Sequence, residues 1–351
     1  MSRRSLKRIA LGLAIGGVGG FVADAAHVPL AWMLGPLFFT MAASLGGLPV
    51  EVPTWLRVYF LVLVGFFLGE SFDHLTPDEL VRWPVSLLGA VIYVPVAGGI
   101  AYIFYRHLAR ESRATAICEA TPGGLSAVVM LASSMGADER AVALSQSLRL
   151  SVVILLAPFI AFGLLGLPQP DDALFAEQQL ISPTGFVILL ASSVVGIFVL
   201  GRTGLPMPSL VAPIFVSALL RMSGIVEGAL PHWLIEIALV VMGASIGSRF
   251  AGVTLARWLG IAGVTLMGTL ILMAVSAVLA VLVAELTGLG LMALLLAYAP
   301  GGVAEMSLIA LAIDVDPAFV AVHHVLRITF ILMMFPIFAA WLSRVSGPPD
   351  R

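Results

Sequence analysis

Apolar residues run through this chain in stretches separated by short polar or charged clusters. A helix needs ~20 apolar residues to cross a bilayer. Stretches near that length lie at about 9–25, 30–47, 57–72, 83–105 and 141–165, and again at about 184–201, 206–221, 233–248, 258–284 and 318–342. Two more apolar segments, 114–135 and 288–312, are interrupted. "EATPGGLSAVVML" runs from Glu119 to Leu131, and "AYAPGGVAEMSLI" runs from Ala297 to Ile309. Pro removes a backbone donor and Gly tolerates unusual dihedrals, so each Pro-Gly-Gly predicts a helix that stops and restarts.

The pattern repeats. Shifted by 178 residues, Trp55 falls on Trp233, Gly65 on Gly243, Gly69 on Gly247 and Phe72 on Phe250. Pro122-Gly123-Gly124 falls on Pro300-Gly301-Gly302, Asp138 on Asp316, Leu148-Arg149 on Leu326-Arg327 and Pro158 on Pro336. Upstream, a shift of 177 brings Pro29 to Pro206 and Pro36 to Pro213. The order is kept over most of each half, so the chain divides into a first membrane unit, 1–166, a polar, acidic linker, 167–183, and a second unit, 184–351. Duplicated membrane units are characteristic of secondary transporters.

Basic residues concentrate in cytoplasmic loops. With Arg149 and Arg327 set aside as intramembrane, sixteen Lys and Arg remain. If the interrupted segments make no net crossing and the N-terminus is inside, fourteen lie inside and two, Arg82 and Arg221, outside. If each interrupted segment crosses, the split is eleven to five and the acidic linker falls inside. The first arrangement is preferred: an all-α polytopic protein of about ten crossings, plus two broken or re-entrant segments, arranged as an inverted repeat with cytoplasmic termini. Twelve crossings is the alternative.

Composition agrees. The 351 residues are 60% hydrophobic and 11% charged, against about a quarter charged in soluble domains. No basic face or DNA-binding motif argues for direct nucleic-acid contact. The single Cys118 excludes an internal disulfide or a cysteine metal cluster, and no Walker motif is present. The start, "MSRRSLKRIALGLAIGGVGGFVADAA", has the form of a cleaved or twin-arginine signal, but the later unit contains an internal equivalent, which argues for a first span.

In lipid, a broken helix is tolerated where its freed backbone faces protein or a cavity. A restarting helix exposes N–H groups and a positive dipole end, which suit an anion. If the halves are inverted, Pro122, Gly123, Gly124, Pro300, Gly301 and Gly302 meet near the midplane as one substrate site, with Ser126 beside them. The plainer alternative is two tight loops between ordinary spans. Arg149 and Arg327 lie deep within spans and are candidates for substrate binding or for structural pairing. Glu119 and Glu305 flank the breaks and are candidates for proton coupling or for structural hydrogen bonding.

The stretches "TPGGLSAVVMLASSMGADERAVALSQSLRL" and "APGGVAEMSLIALAIDVDPAFVAVHHVLRI" resemble the duplicated unit of the bacterial AbrB integral membrane family, which is distinct from the soluble transition-state regulator of that name. The resemblance covers nearly the whole chain. Members carry two labels, regulator of gene expression and ammonia monooxygenase. The family is distantly similar to cation/proton antiporters and to bile-acid or auxin transporters, which implies crossing broken helices. A monooxygenase needs clustered metal ligands, and of six histidines only His323 and His324 adjoin, pointing ~100° apart on a helix. The expectation is therefore a non-enzymatic secondary transporter of a small anionic solute in the bacterial inner membrane, with no metal or cofactor and with a homo-oligomer left open. A membrane regulator acting indirectly on expression is the alternative, and ammonia oxidation ranks below both.

Overall fold

The computed structural model describes residues 3–74, 77–164, 166, 179–313 and 315–346. The linker expected at 167–183 falls mostly outside them. Among the described residues the chain is built of fourteen α-helices. The first half contributes α1 (Arg3–Ala25), α2 (Ala31–Leu45), α3 (Thr54–Glu70), α4 (Pro77–Ile103), α5 (Arg113–Ala120), α6 (Leu125–Ser134) and α7 (Glu139–Pro158). The second contributes α8 (Pro183–Thr203), α9 (Pro208–Met222), α10 (His232–Gly247), α11 (Leu255–Thr287), α12 (Leu291–Tyr298), α13 (Val303–Ala312) and α14 (Pro317–Ser346). Each half thus runs through the same series of long, short and broken elements.

All ten expected spans coincide with helices, and both interrupted segments break as the Pro-Gly-Gly predicts, into α5–α6 and α12–α13. Seven of the helical spans are long and apolar enough to cross a membrane, so the chain is a multi-pass membrane protein. The other three expected spans are shorter: α2 and α9 have 15 residues each and α3 has 17. At 1.5 Å per residue, 15 residues extend ~22 Å, less than the ~30 Å hydrocarbon core. α2 and α9 also start alike. Each is entered through a left-handed residue directly after a proline, Leu30 (φ 53°) and Met207 (φ 54°). For bulky side chains that backbone conformation is an outlier.

Two compact units emerge, and each draws on both sequence halves. Unit 1 comprises residues 1–77, 154–257 and 304–318; unit 2 comprises 78–153, 258–303 and 319–351. In unit 1, α1 packs on α2 and α2 on α10, while α8 packs on α9 and α9 on α3. Glycine allows both cross-half contacts. A Cβ at Gly243 of α10 would lie 2.3 Å from the Met33 carbonyl oxygen of α2, and one at Gly65 of α3 would lie 2.9 Å from the Leu210 carbonyl oxygen of α9. Backbones this close favour small residues and gain dispersion along the whole contact, the usual currency of helix association in lipid. Gly69 and Gly247 make a second reciprocal pair, against Ile214 and Leu37.

Unit 2 holds both breaks. Its core has two clusters. Ile117, Cys118, Val128, Val142 and Phe335 pack around the first broken segment. Tyr93, Ala97, Tyr105, Ala116, Ala120 and Leu272 fill the space between α4, α5 and α11.

Candidate functional site

The two breaks of unit 2 are held by one device used twice. A helix end leaves its last carbonyls without partners, and α5 and α12 both end inside the fold. In each half, a long helix that follows the break supplies a pair of side chains three residues apart, Gln146 and Arg149 on α7, His324 and Arg327 on α14.

On the first break, the Gln146 amide donates to the Cys118 carbonyl at 2.7 Å and reaches the Thr121 carbonyl at 3.4 Å. Arg149 donates to the Glu119 carbonyl at 3.1 Å and to Gln146 Oε1. On the second break, His324 Nε2 bonds the Leu296 carbonyl at 2.9 Å, and Arg327 donates to Tyr298, Ala299 and Gly301 carbonyls at 3.2, 2.6 and 3.2 Å. Arg327 Nη2 also lies 3.0 Å from His324 Nδ1. Shifted by 178, Cys118 is Leu296 and Gln146 is His324, so the two networks correspond bond for bond at their centre. The geometry fixes the His324 tautomer: Nδ1 accepts from Arg327, so Nε2 carries the proton it donates. A neutral imidazole and a carboxamide then present the same face, one acceptor to the arginine and one N–H to the carbonyl. Cations at the C-terminal ends of α5 and α12 also complement the negative ends of the helix dipoles.

Arg327 is the largest of the fully buried side chains, with 0% exposure. A guanidinium has five N–H donors; four are directed at the carbonyls and His324, and the fifth, at Nε, has no partner among the described residues. That edge faces the other break. A Cβ built on Gly123 would lie 3.3 Å from Arg327 Nη2 and 3.4 Å from Nε. So Pro122-Gly123-Gly124 and Pro300-Gly301-Gly302 come together around one guanidinium. Gly123 (φ 120°) and Gly124 (φ 71°) occupy left-handed backbone, which a side chain would strain. Gly124 is the N-cap of α6, and the Gly123 N–H turns back to the Thr121 carbonyl at 3.0 Å.

The remaining candidates divide between the units. Ser126 lies on α6, with its side chain outside those described. Glu119 is buried in unit 2, hydrogen-bonded to Ser145 and within electrostatic reach of Arg149. Glu305 is buried in unit 1 on α13, where its carboxylate lies 3.6 Å from Arg57. His323 and His324 do not converge. His323 bonds Phe319 and Ser86 through its two ring nitrogens, while His324 bonds Leu296 and Arg327. Beside the first break, Thr121, Pro122, Tyr102 and Phe335 line a largely apolar cavity of 410 Å³.

Sequence reasoning missed Gln146 and Arg57, and weighed His324 only beside His323 as a metal ligand. The signal for Gln146 and His324 was present: each stands three residues before an intramembrane arginine, and the two lie 178 residues apart.

A family model described as "Transition state regulatory protein AbrB" matches residues 3–82 and 32–343, nearly the full chain. The chain belongs to the AbrB family. Two relatives match along almost their whole length. One is "Uncharacterized protein YhjN" of Bacillus subtilis, 27% identical over 371 aligned positions that cover 95% of this chain and 93% of the relative. The other is "Putative regulator AbrB" of Escherichia coli, 26% identical over 329 positions that cover 92% of each. With seven long apolar helices, this AbrB-family chain is unlike a soluble regulator in its physical character, and the family name carries no information on transport.

Proposed function

We propose that this AbrB-family protein is a secondary transporter of a small anionic solute, without enzymatic activity, in a bacterial inner membrane. One observation carries the reading: two helix breaks converge on one buried guanidinium whose free Nε–H faces the left-handed Gly123. A buried donor without a partner costs about 1–3 kcal/mol, and a solute carboxylate or carbonyl would relieve that cost. Broken helices with backbone groups at a central site are the working parts of many secondary transporters. The 410 Å³ cavity reaches the same break through Thr121 and Pro122 and gives a solute room beside it.

The reading includes an inverted repeat with cytoplasmic termini and an external linker. The reciprocal contacts of α2 with α10 and of α9 with α3 support related halves, and the distribution of basic residues supports their opposite orientation. Four of the five Arg327 donors serve carbonyls or His324, so solute selectivity at this guanidinium rests on its one free donor. A regulatory role is the second reading, favoured by the printed name of the Escherichia coli relative; transport of a signalling solute would reconcile the two.

The test is uptake of radiolabelled mono- and dicarboxylates into proteoliposomes under an imposed proton gradient. The expected result is saturable uptake that Gly123→Ala reduces at least tenfold while the protein still inserts. Absence of saturable uptake and of binding across the series would end the transporter reading.

A further inference from the structure

A second cluster of buried charge lies in unit 1, apart from the breaks. Arg57 stands in the first turn of α3, Arg249 just beyond the end of α10, and Glu305 in the first turn of α13. α3 packs against α10, whose C-terminal end leads into the short turn that carries Arg249. Glu305 lies 3.6 Å from Arg57, longer than a hydrogen bond between ions should be. The charges acting on Arg249 are those of Arg57 and Glu305. Three buried polar atoms here, Arg57 Nε, Arg249 Nη1 and Glu305 Oε1, have no hydrogen-bond partner among the described residues.

Two guanidinium groups against one carboxylate leave a net charge of about +1 in a poorly solvated place, which is costly unless a counter-charge is supplied. Two donors, one from each arginine, are free to make the contact. The Arg57 side chain is 17% exposed and that of Glu305 only 2%, so Arg57 is the member of the pair nearer to solvent. The three charges also have no counterpart in the other half. Shifted by 178 residues, Arg57, Arg249 and Glu305 correspond to Ile235, Ser71 and Ala127. A cluster added to one copy alone is unnecessary to the packing that both copies share.

We infer that Arg57 and Arg249 form a binding site for one compact monovalent anion, a carboxylate or a halide, with Glu305 as the resident negative charge that limits its affinity. The site is independent of the Arg327 reading. Bound anion donates nothing and forms no covalent bond; it accepts from Arg57 Nε and Arg249 Nη1 and brings the cluster to neutrality.

The test uses full-length protein purified in detergent, in buffer free of chloride and carboxylates. Sodium chloride and sodium acetate are titrated separately, with binding read by calorimetry and by the shift in unfolding midpoint. Sodium sulfate at matched ionic strength is the control. Wild-type protein should bind one or both monovalent anions saturably. Acetate alone assigns a carboxylate site; both assign a general site for small anions. Arg249→Gln should weaken binding at least tenfold, and Glu305→Gln should tighten it about tenfold by removing a like charge. Equal shifts in wild type and Arg249→Gln, or a shift that sulfate reproduces, would overturn the site. If Arg249→Gln does not fold, Glu305→Gln decides alone, because unchanged or weaker binding there contradicts the assignment. Gly123→Ala should leave this binding unchanged, so the two readings fail separately.

Discussion

Arg149 and Arg327 occupy equivalent positions, yet the structure predicts unequal consequences when each is replaced by Met. Arg327→Met strands the Tyr298, Ala299 and Gly301 carbonyls, all in buried surroundings. At about 1–3 kcal/mol for each orphaned polar group, the cost is about 3–9 kcal/mol, a large fraction of the ~5–15 kcal/mol that holds a typical fold. Each variant also leaves one side-chain acceptor without its arginine, Gln146 Oε1 or His324 Nδ1, a cost common to both that cancels in the comparison; beyond it, Arg149→Met strands only the Glu119 carbonyl, because Gln146 continues to hold Cys118 and reach Thr121. One orphan costs about 1–3 kcal/mol. Methionine keeps the length and apolar stem of arginine, so loss of packing contributes little to either figure. The assay is equilibrium unfolding of both variants in the same micelles, with trypsin resistance as a check that each is folded at the start. Arg327→Met should have the lower stability by at least about 2 kcal/mol, the gap between the two midpoint costs being about 4. Equal losses, or a larger loss at Arg149, would refute the idea that these arginines act by capping freed carbonyls.

Further outcomes follow from the same geometry. His324→Gln should stay within about 1 kcal/mol of wild type, because glutamine does the same work at Gln146, whereas His324→Leu, which strands the Leu296 carbonyl and one Arg327 donor, should cost about 2–6 kcal/mol in the same unfolding assay. Gly243→Ala forces a methyl to 2.3 Å from the Met33 carbonyl and should reduce folded yield strongly, while Gly17→Ala, with nothing within 4 Å, should be neutral; detergent-extracted protein on size-exclusion chromatography reads both. Cys118 is buried, so a single cysteine placed in the 167–183 linker should label from the external side without background. Labelling from the cytoplasmic side would remove the inverted arrangement.

Helix positions were legible because apolar length and Pro-Gly-Gly are local signals. Residues 114–135 and 288–312 break where expected. The three short helices fall at the expected 30–47, 57–72 and 206–221, but the way two of them are entered was not foreseen. Hydropathy counts apolar residues and is blind to backbone dihedrals, whereas α2 and α9 begin only after Leu30 and Met207 have taken left-handed backbone. At the site, an arginine inside an apolar run announces itself by its desolvation cost. Its partners did not. Gln146 and His324 share no side-chain chemistry by name, so self-comparison passes over them; their likeness is one acceptor and one donor held in the same place. Arg57 and Arg249 read as ordinary basic residues at span ends until the structure put them beside Glu305.

The packing of α2 against α10, and of α3 against α9, sets a timetable for biosynthesis. α2 ends at Leu45, and its partner begins at His232, about 190 residues later. At ~5–20 residues per second, the ribosome needs about 10–40 s to supply that partner. Through this interval the facing backbone of α2 must wait in the bilayer beside lipid or an insertion factor, and the glycine face of α3 waits for α9 over the shorter stretch from Glu70 to Pro208. Neither half can complete these contacts by itself, because each pair takes one helix from either half. A chain cut within the linker and expressed as two pieces should therefore reassemble, whereas either piece alone should be a substrate for membrane proteases.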